Sequence, residues 1–165
     1  MPEAGPVVAN ATPLIALATI GRFDLLRRLY TTITIPEAVR AEVEVGGPGS
    51  PGYEETRSST WIQVAGVQDR RRVLYFPDLD LGEAEVLVLA EERSARLVLL
   101  DERLARQHAE RLGLSMTGTL GILLRAKARG YVRTIRPHVR ALRGAGFRLG
   151  DQVVDSVLSL AREKS

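Results

Sequence analysis

The sequence contains no cysteine and only two histidines, His108 and His138. Without cysteine the chain cannot form disulfide bonds, bind zinc through thiolates or use a thiol as a nucleophile. Two histidines are also too few to build a histidine cage around a metal ion. A metal ion bound by this chain must therefore be held by oxygen atoms.

Long hydrophobic runs are missing as well. Hydrophobic residues make up 45% of the 165 residues, but no run approaches the roughly 20 residues that cross a membrane. The first residues also lack the charged and then apolar order of a signal peptide. We therefore expect a soluble, cytoplasmic protein with no membrane partner. We also expect one domain over residues 1–165, because no repeat or interdomain linker interrupts the pattern.

Acidic residues are absent from residues 111–150, a segment rich in arginine. The net charge of the chain is only +3, so the acids are concentrated outside this segment. A block of one charge sign attracts a polyanion and can bind phosphate groups. Only two of the 23 basic residues are lysines, Lys127 and Lys164, so codon bias also explains the arginine content.

The first part of the sequence predicts alternating strands and helices. The β-prone runs are Val7–Ala9, Ile33–Ile35 and a peripheral one at Trp61–Val64. Between the first two, a helical stretch starts at Pro13 and breaks near Gly21. Pro36 opens the next helix, and the glycine- and proline-rich segment after it predicts a mobile loop from Gly46 to Thr60.

The second part predicts one more strand, Leu97–Leu100, and a series of helices. The helices are Ala84–Arg93, Leu104–Leu112, Leu120–Arg129, Ile135–Arg143 and Asp151–Arg162, of which the last three form a basic helical part from about residue 118. Apolar strands separated by helices indicate an α/β fold with a parallel sheet covered on both faces. In such folds ligands bind at the carboxyl ends of the strands.

Polar residues stand where this edge of the sheet is expected. Asn10 follows the first strand and Asp101 follows the strand at Leu97–Leu100. Glu83 shares a helix face with apolar residues that must be buried, and Glu42 stands near the end of the helix opened by Pro36. If these oxygen atoms converge, they form the hard ligand set that Mg²⁺ or Mn²⁺ prefers, and the pocket is suited to a nuclease.

Each of these residues also has a purely structural interpretation. Glu83 lies three residues after Asp80, so the two can form a capping box at the start of a helix. Asp101 can cap the helix that begins near Arg103. Glu42 can be a solvated helix residue, and Asn10 can make an Asx-turn ahead of Pro13. The residues alone leave these alternatives open.

Four motifs in fixed order carry a resemblance to a known family. They are "ANATPLI", "IPEAVRAEV", "GEAEVLVLA" and "LVLLDERLAR", and the similarity runs from Val7 to at least Leu124. Together they resemble the PIN domain, in particular the short bacterial and archaeal PIN-like proteins related to the toxins of toxin-antitoxin pairs. The segments "TGTLGILLRAKARG" and "AGFRLGDQVV" also resemble the ends of one subfamily.

The resemblance implies a three-layer α/β/α fold with a central parallel sheet and an Mg²⁺- or Mn²⁺-dependent endoribonuclease. The implied catalytic residues are Asn10, Glu42, Glu83 and Asp101, of which Glu42, Glu83 and Asp101 hold the metal. The implied supporting residues are Thr12, Glu85, Glu102, Thr117 and Thr119. For RNA binding we expect Arg125, Lys127, Arg129, Arg133 and Arg136 of the basic segment. The implied partners are RNA, an antitoxin protein and a second copy of the chain.

Asn10 departs from the family pattern, which has an aspartate at this position. An amide offers one oxygen to a cation but no negative charge, so metal affinity should fall. We therefore expect weak, manganese-dependent or absent catalysis. The alternative hypothesis is an inactive PIN-like module that binds RNA or a protein partner. A phosphoacceptor receiver domain ranks last, because "VVANAT" lacks the acid cluster that such a domain has after its first strand.

Overall fold

The computed structural model describes residues 5–163. Within them five strands form one sheet: β1 (Val7–Ala9), β2 (Ile33–Pro36), β3 (Ile62–Ala65), β4 (Leu97–Leu99) and β5 (Met116–Thr117). The strands lie in the order β3-β2-β1-β4-β5, and every neighbouring pair is parallel. The predicted parallel α/β fold is therefore confirmed.

Helices connect these strands. In the described part of the chain they are α1 (Ala11–Thr19), α2 (Asp24–Tyr30), α3 (Glu37–Glu44), α4 (Tyr53–Ser58), α5 (Leu81–Glu92), α6 (Arg103–Arg111), α7 (Thr119–Ala128), α8 (Arg136–Gly144) and α9 (Asp151–Leu160), with a 3-10 helix at Arg70–Tyr75. Because crossovers between parallel strands are right-handed, connections toward β3 and connections toward β5 place their helices on opposite faces. The result is the expected three-layer α/β/α arrangement.

The sheet and α5 form the centre of the core. Strand β1 is buried over its whole length, and α5 is buried continuously from Gly82 to Ala90. This burial explains the unbroken apolar sequence of both elements, because each is covered on more than one side. None of the helices within residues 5–163 is long and apolar enough to cross a membrane.

Three local features differ from the sequence prediction. The segment predicted as a loop from Gly46 to Thr60 contains the short helix α4. The structure also adds the two-residue strand β5 and the 3-10 helix at Arg70–Tyr75, neither of which was predicted. These elements are short, so their sequences carry too few residues to show a helical or strand period.

The order of strands places β1 beside β4 at the middle of the sheet. Their carboxyl ends are joined by the hydrogen bond that the backbone N of Asn10 donates to the Leu99 carbonyl, at 2.9 Å. The residues that follow β1 and β4 therefore lie at the same edge, which we call the carboxyl edge. Helix α7 follows β5 at this edge and, like the helix after a parallel strand in α/β folds, runs back toward the opposite amino edge.

Candidate active site

Asn10 lies at the carboxyl edge, between β1 and α1. It is the N-cap residue of α1, but its side chain makes no capping hydrogen bond, so the predicted Asx-turn does not form. The residue is only 3% exposed, and its Oδ1 atom is buried without a hydrogen-bond partner among the described residues. Buried polar atoms are nearly always paired, so this oxygen is a candidate ligand for a cation or an acceptor for a donor group.

Three side-chain oxygens surround the place where Gly82 has no side chain. A Cβ atom at Gly82 would lie 3.1 Å from Glu42 Oε1, 3.5 Å from Asn10 Oδ1 and 3.6 Å from Asp80 Oδ1. The oxygens come from α3, the end of β1 and the residue before α5, so the fold rather than local sequence brings them together. We call Asn10, Glu42 and Asp80 around Gly82 the oxygen cradle.

Glu83 lies beside the cradle on the first turn of α5. Asp80 and Glu83 form a capping box, in which each side chain accepts a hydrogen bond from the backbone N–H of the other residue. The capping interpretation is therefore correct, and Glu83 is 6% exposed, as its buried helix face predicted. The pKa of Glu83 is raised to about 7, mainly by burial; the hydrogen bond from the Asp80 N–H opposes this rise, and the charges of Asp80 and Glu102 contribute to it.

Glu42 lies close to other negatively charged side chains. The residue is exposed at the end of α3, but its Oε1 atom points to the cradle. Desolvation raises the pKa of Glu42, and the charges of Asp80 and Glu102 raise it further. Glu102 was predicted only as a supporting residue, yet its charge acts on both Glu42 and Glu83. Four neighbouring carboxyl groups without a cation create a strongly negative site.

Asp101 has a different environment from the other acids. Its Oδ1 accepts a hydrogen bond from the Thr119 backbone N at 2.8 Å, and its Oδ2 accepts one from Thr119 Oγ1 at 2.6 Å. Asp101 therefore anchors the start of α7. The interpretation of Asp101 as a cap of α6 is wrong, because the N-cap of α6 is Glu102, which makes no side-chain capping bond.

The remaining supporting residues divide into two groups. Thr12, Thr117 and Thr119 line a groove that also contains Asp101 and Glu102, so they border the candidate site. Glu85 is engaged elsewhere: its buried carboxylate accepts from the Ala38 backbone N at 3.1 Å and pairs with Arg70 Nη1 at 2.7 Å. Glu85 therefore fixes the start of α3, the helix that carries Glu42, rather than facing the cradle.

The arginines nearest to the acids are not those predicted for RNA binding. Arg103, Arg106 and Arg148 line the same groove, which has a volume of about 990 Å³. By contrast, burial raises the pKa of Tyr30 while Arg125 and Arg96 oppose that rise, which places Arg125 close to Tyr30. Tyr30 ends α2 three residues before β2 and Arg96 directly precedes β4, so Arg125 lies at the amino edge.

The rest of the predicted RNA-binding set lies toward that same edge. Arg129 and Arg133 follow the end of α7, and Arg136 begins α8. Lys127 is held internally, because its Nζ donates to the Ala161 carbonyl and to Glu163 Oε2. Contact of these five residues with RNA stays a prediction; Arg125 and Lys127 lie in the second half of α7, and the other three come after its end, about 15 Å along the helix from the carboxyl edge.

The cradle fits a divalent cation, although with one charge fewer than an all-carboxylate site. Among residues 5–163 no group of three or more histidine, cysteine, aspartate or glutamate residues is arranged to hold a metal ion. The third oxygen of the cradle belongs to the Asn10 amide. Two carboxylates and an amide are hard donors of the kind that Mg²⁺ and Mn²⁺ prefer, and the unpartnered Asn10 Oδ1 is free to bind such an ion.

Asp80 and Gly82 are the parts of the site that sequence reasoning missed. Asp80 was interpreted only as a helix cap, and the Oδ1 atom that borders the cradle is the atom that accepts the capping hydrogen bond from the Glu83 backbone N. The available signal was the sequence "DLGE", in which a glycine between two acids leaves space beside the capping carboxylate. Nothing in the local pattern indicated that Glu42 and Asn10 would face that space.

Comparison with protein families covers nearly the whole chain. The DUF3368 family model, which is described as a PIN domain, matches residues 6–163. No curated protein gives a significant match. The resemblance inferred from the four motifs is confirmed by the family match.

Proposed function

The chain belongs to the PIN domain family, and we propose that it is a metal-dependent ribonuclease whose active site is the oxygen cradle. The fold is of a nuclease type, and the observation that carries the proposal is the buried, unpartnered Oδ1 of Asn10, which faces the same space as Glu42 and Asp80. A neutral pocket would have no reason to collect these oxygens at the carboxyl edge. A cation would give the Asn10 Oδ1 atom the partner it lacks among the described residues.

Asn10, Glu42 and Asp80 would hold the ion, Mg²⁺ or Mn²⁺, with Glu83 and Glu102 adding negative charge around it. A bound divalent ion would lower the pKa of a water molecule and stabilise negative charge on the phosphodiester. Of the metal ligands implied by the resemblance, Glu42 has the strongest support. Glu83 and Asp101 stay proposed ligands, although each already accepts hydrogen bonds that fix a helix start.

The chain's own groups supply the remaining requirements of phosphodiester cleavage. Arg103 and Arg148 carry positive charge next to the acids and can bind the phosphates that flank the cleaved bond. Asp101 and Thr119 fix the start of α7 and so keep one wall of the groove in place. Glu83, with its pKa near 7, exchanges its proton close to neutral pH and becomes fully charged when a cation favours its ionised form.

The test is cleavage of a mixed RNA pool with Mg²⁺, Mn²⁺ or EDTA. Wild type, Asn10→Asp, Asp101→Asn and Glu42→Gln are compared, with Glu37→Gln as the matched control because Glu37 is an exposed acid on the same helix. We expect Mn²⁺-dependent cleavage that Glu42→Gln abolishes and Glu37→Gln retains. Absence of cleavage by wild type and every variant under all conditions contradicts the proposal.

The identity of residue 10 favours a second candidate function, an inactive PIN-like module that binds RNA or a protein partner. The amide removes one negative charge from the cradle, which weakens affinity for a divalent ion. Asn10→Asp distinguishes the two functions. If only this variant cleaves RNA, the natural protein retains the site without turnover.

We include in the first proposal a role as the toxin of a toxin-antitoxin module, with an antitoxin protein as partner and a homodimer as the assembly. Its support is the resemblance of the four motifs to such toxins. Expression of the wild-type chain should then arrest bacterial growth, and Glu42→Gln should not. Arrest by both forms at equal protein levels would show that growth inhibition does not need the cradle.

A further inference from the structure

A second cleft lies at the amino edge of the sheet, away from the oxygen cradle. Trp61 directly precedes β3, and its carbonyl accepts a hydrogen bond from the backbone N of Ile33, the first residue of β2, at 3.0 Å. The cleft beside Trp61 has a volume of about 600 Å³, which is within the range of clefts that bind small molecules. We call it the amino-edge cleft, and its lining residues are Phe23, Asp24, Arg27, Arg28, Ser59 and Trp61.

The aromatic surface of the amino-edge cleft is the indole of Trp61, the only tryptophan in the sequence. Phe23 is buried and packs against it, with ring centroids 5.5 Å apart and ring planes tilted by 46°. This contact holds the indole in place, while Trp61 itself is only half-buried. An aromatic ring that is both fixed and partly exposed can stack on a planar ring such as a nucleobase.

Positive charge predominates around the same cleft. Asp24 is the only acid among the described lining residues, and its carboxylate is shared by Arg28 Nε at 3.1 Å and Arg22 Nε at 3.0 Å. Arg28 also lies over the Tyr131 ring, 5.6 Å from its centroid, so two contacts fix this guanidinium. Arg27 is exposed on the last turn of α2, and its side chain forms no ion pair or hydrogen bond within residues 5–163. The Arg27 guanidinium is therefore available to a ligand.

Charge and aromatic surface together define a class of ligand. Three arginines and one aspartate leave two positive charges uncompensated, and a phosphate monoester carries a charge of about −1.5 to −2 near pH 7. A guanidinium can bind such a phosphate through two parallel hydrogen bonds. Inorganic phosphate would leave the indole unused, and a nucleoside would leave Arg27 unpaired. A nucleotide with a terminal phosphate uses both groups.

We propose that the amino-edge cleft binds a nucleotide with a terminal phosphate, whose base stacks on Trp61 and whose phosphate is bound by Arg27. Arg28, held by Asp24 and Tyr131, adds positive charge beside the phosphate. The nucleotide is either free or the phosphorylated end of an RNA strand, since both present the same chemistry. The proposal is independent of the proposed function, because the cleft and the oxygen cradle lie at opposite edges of the sheet.

Trp61 makes binding directly observable, because no other tryptophan contributes to the fluorescence of the chain. Wild type is titrated in EDTA with AMP, adenosine and inorganic phosphate while tryptophan emission is followed. AMP should change the emission until the site is saturated. Adenosine should bind more weakly by about tenfold or more, which corresponds to a lost hydrogen bond to a charged group. Inorganic phosphate should leave the emission unchanged, because it does not reach the indole.

Two substitutions separate the charge from the stacking surface. Arg27→Ala should weaken AMP binding by about tenfold or more and leave adenosine binding unchanged. Trp61→Leu should weaken the binding of both by about fivefold or more, and Trp61→Phe should retain most of the affinity because it keeps an aromatic ring. The two Trp61 variants are measured by isothermal titration calorimetry, since they lack the fluorophore. Thermal melting confirms that each variant is folded.

Arg71→Ala is the matched control, because Arg71 is an exposed arginine on the 3-10 helix outside the cleft. It should bind AMP like wild type. A short single-stranded RNA with and without a 5′-phosphate distinguishes the two sources of the nucleotide. Tighter binding of the phosphorylated RNA than of AMP, lost in Arg27→Ala, assigns the cleft to an RNA end. Binding of the RNA no tighter than that of AMP assigns it to a free nucleotide.

Three results overturn the proposal: no saturable change of Trp61 emission with AMP, equal affinity for AMP and adenosine, or wild-type AMP affinity in Arg27→Ala. Glu42→Gln should bind AMP normally, and loss of AMP binding in this variant would place the nucleotide at the cradle instead. These outcomes differ from those of the proposed function. RNA cleavage by a protein that does not bind AMP refutes only the amino-edge cleft, and AMP binding by a protein that never cleaves RNA refutes only the ribonuclease.

Discussion

Within residues 5–163 the acids at the carboxyl edge have no positively charged partner, whereas two acids elsewhere in the molecule are paired with basic side chains. Glu85 pairs with Arg70 and accepts a backbone N–H, and Glu163 pairs with Lys127 and accepts the backbone N–H groups of Ile135 and Arg136. Within residues 5–163, Glu42, Asp80, Glu83 and Glu102 form no ion pair at all.

This contrast separates structural charge from functional charge. A paired carboxylate lowers the free energy of the fold, whereas a cluster of unpaired ones destabilises it through mutual repulsion. The pKa values of Glu42 and Glu83 are raised, which is the signature of that repulsion together with burial. Removing a carboxylate at the carboxyl edge should therefore stabilise the fold, whereas removing the carboxylate of Glu85 or Glu163 should destabilise it.

The largest expected effect is the loss of metal binding in Glu42→Gln. We expect affinity for Mn²⁺ to fall by at least about 10–100-fold, the loss already seen when groups behind metal ligands are changed. The free energy of unfolding should not decrease, because the substitution removes repulsion with Asp80 and Glu102. Isothermal titration calorimetry with Mn²⁺ measures the first quantity and urea denaturation the second. Equal Mn²⁺ affinity in Glu42→Gln and Glu37→Gln would contradict a cation in the cradle.

Glu85→Ala should show the reverse pattern. The Ala38 backbone N–H loses its acceptor, and the free energy of unfolding should fall by about 1–3 kcal/mol, the cost of an unsatisfied polar group. Urea denaturation measures this, with the exposed acid of Glu54→Ala as a control that should change stability by no more than about 0.5 kcal/mol. If Glu85→Ala is as stable as the control, the carboxylate does not hold α3 in place.

Gly82→Ala should separate metal binding from stability in a single substitution. The added methyl group would lie 3.1 Å from Glu42 Oε1, inside the cradle. We expect Mn²⁺ affinity to fall by about tenfold, the lower end of the losses seen around metal sites, while the gain of up to about 1 kcal/mol from helix propensity is opposed by the close contact with Glu42 Oε1. Gly144→Ala, where nothing lies within 4 Å of the new atom, is the control for calorimetry. Normal Mn²⁺ binding by Gly82→Ala would place the ion elsewhere.

A further expected effect concerns the pH dependence of stability. The pKa of Glu83 is about 7 in the folded chain against an ordinary value of 4.5, so the folded state binds more protons between these values. Its contribution to stability is complete below pH 4.5 and is lost as pH rises through 7. Glu83→Gln keeps an acceptor for the capping box and removes the titration. Urea denaturation at several pH values should show that the free energy of unfolding of wild type declines as pH rises, and that this decline is smaller in Glu83→Gln. Parallel curves for the two proteins would contradict a raised pKa of Glu83.

The strands and longer helices could be predicted because their signals are local. Apolar runs such as residues 7–9 and 97–100 indicate buried strands, and Pro36 indicates a helix start. Helix α4 could not be predicted, because it is only six residues long and follows a glycine- and proline-rich segment. Strand β5 has two residues, and its existence depends on pairing with β4.

The sequence could indicate which residues are candidates for the site, but not which residues their side chains contact. The resemblance indicated Asn10, Glu42, Glu83 and Asp101, yet the partner of each side chain depends on distant residues. Asp101 meets Thr119 across 18 positions of sequence, and Lys127 meets Glu163 across 36. The basic segment gave the sign of the charge correctly. It could not show that α7 carries Arg125 away from the acids, because direction depends on the whole sheet.

Glu163 also supplies a stabilising contact that forms late in synthesis. Its carboxylate ties the start of α8 to Lys127 of α7. Residues 10, 42, 80 and 102 leave the ribosome much earlier. A nascent chain therefore contains the acids of the carboxyl edge before the contact that fixes the start of α8 can form.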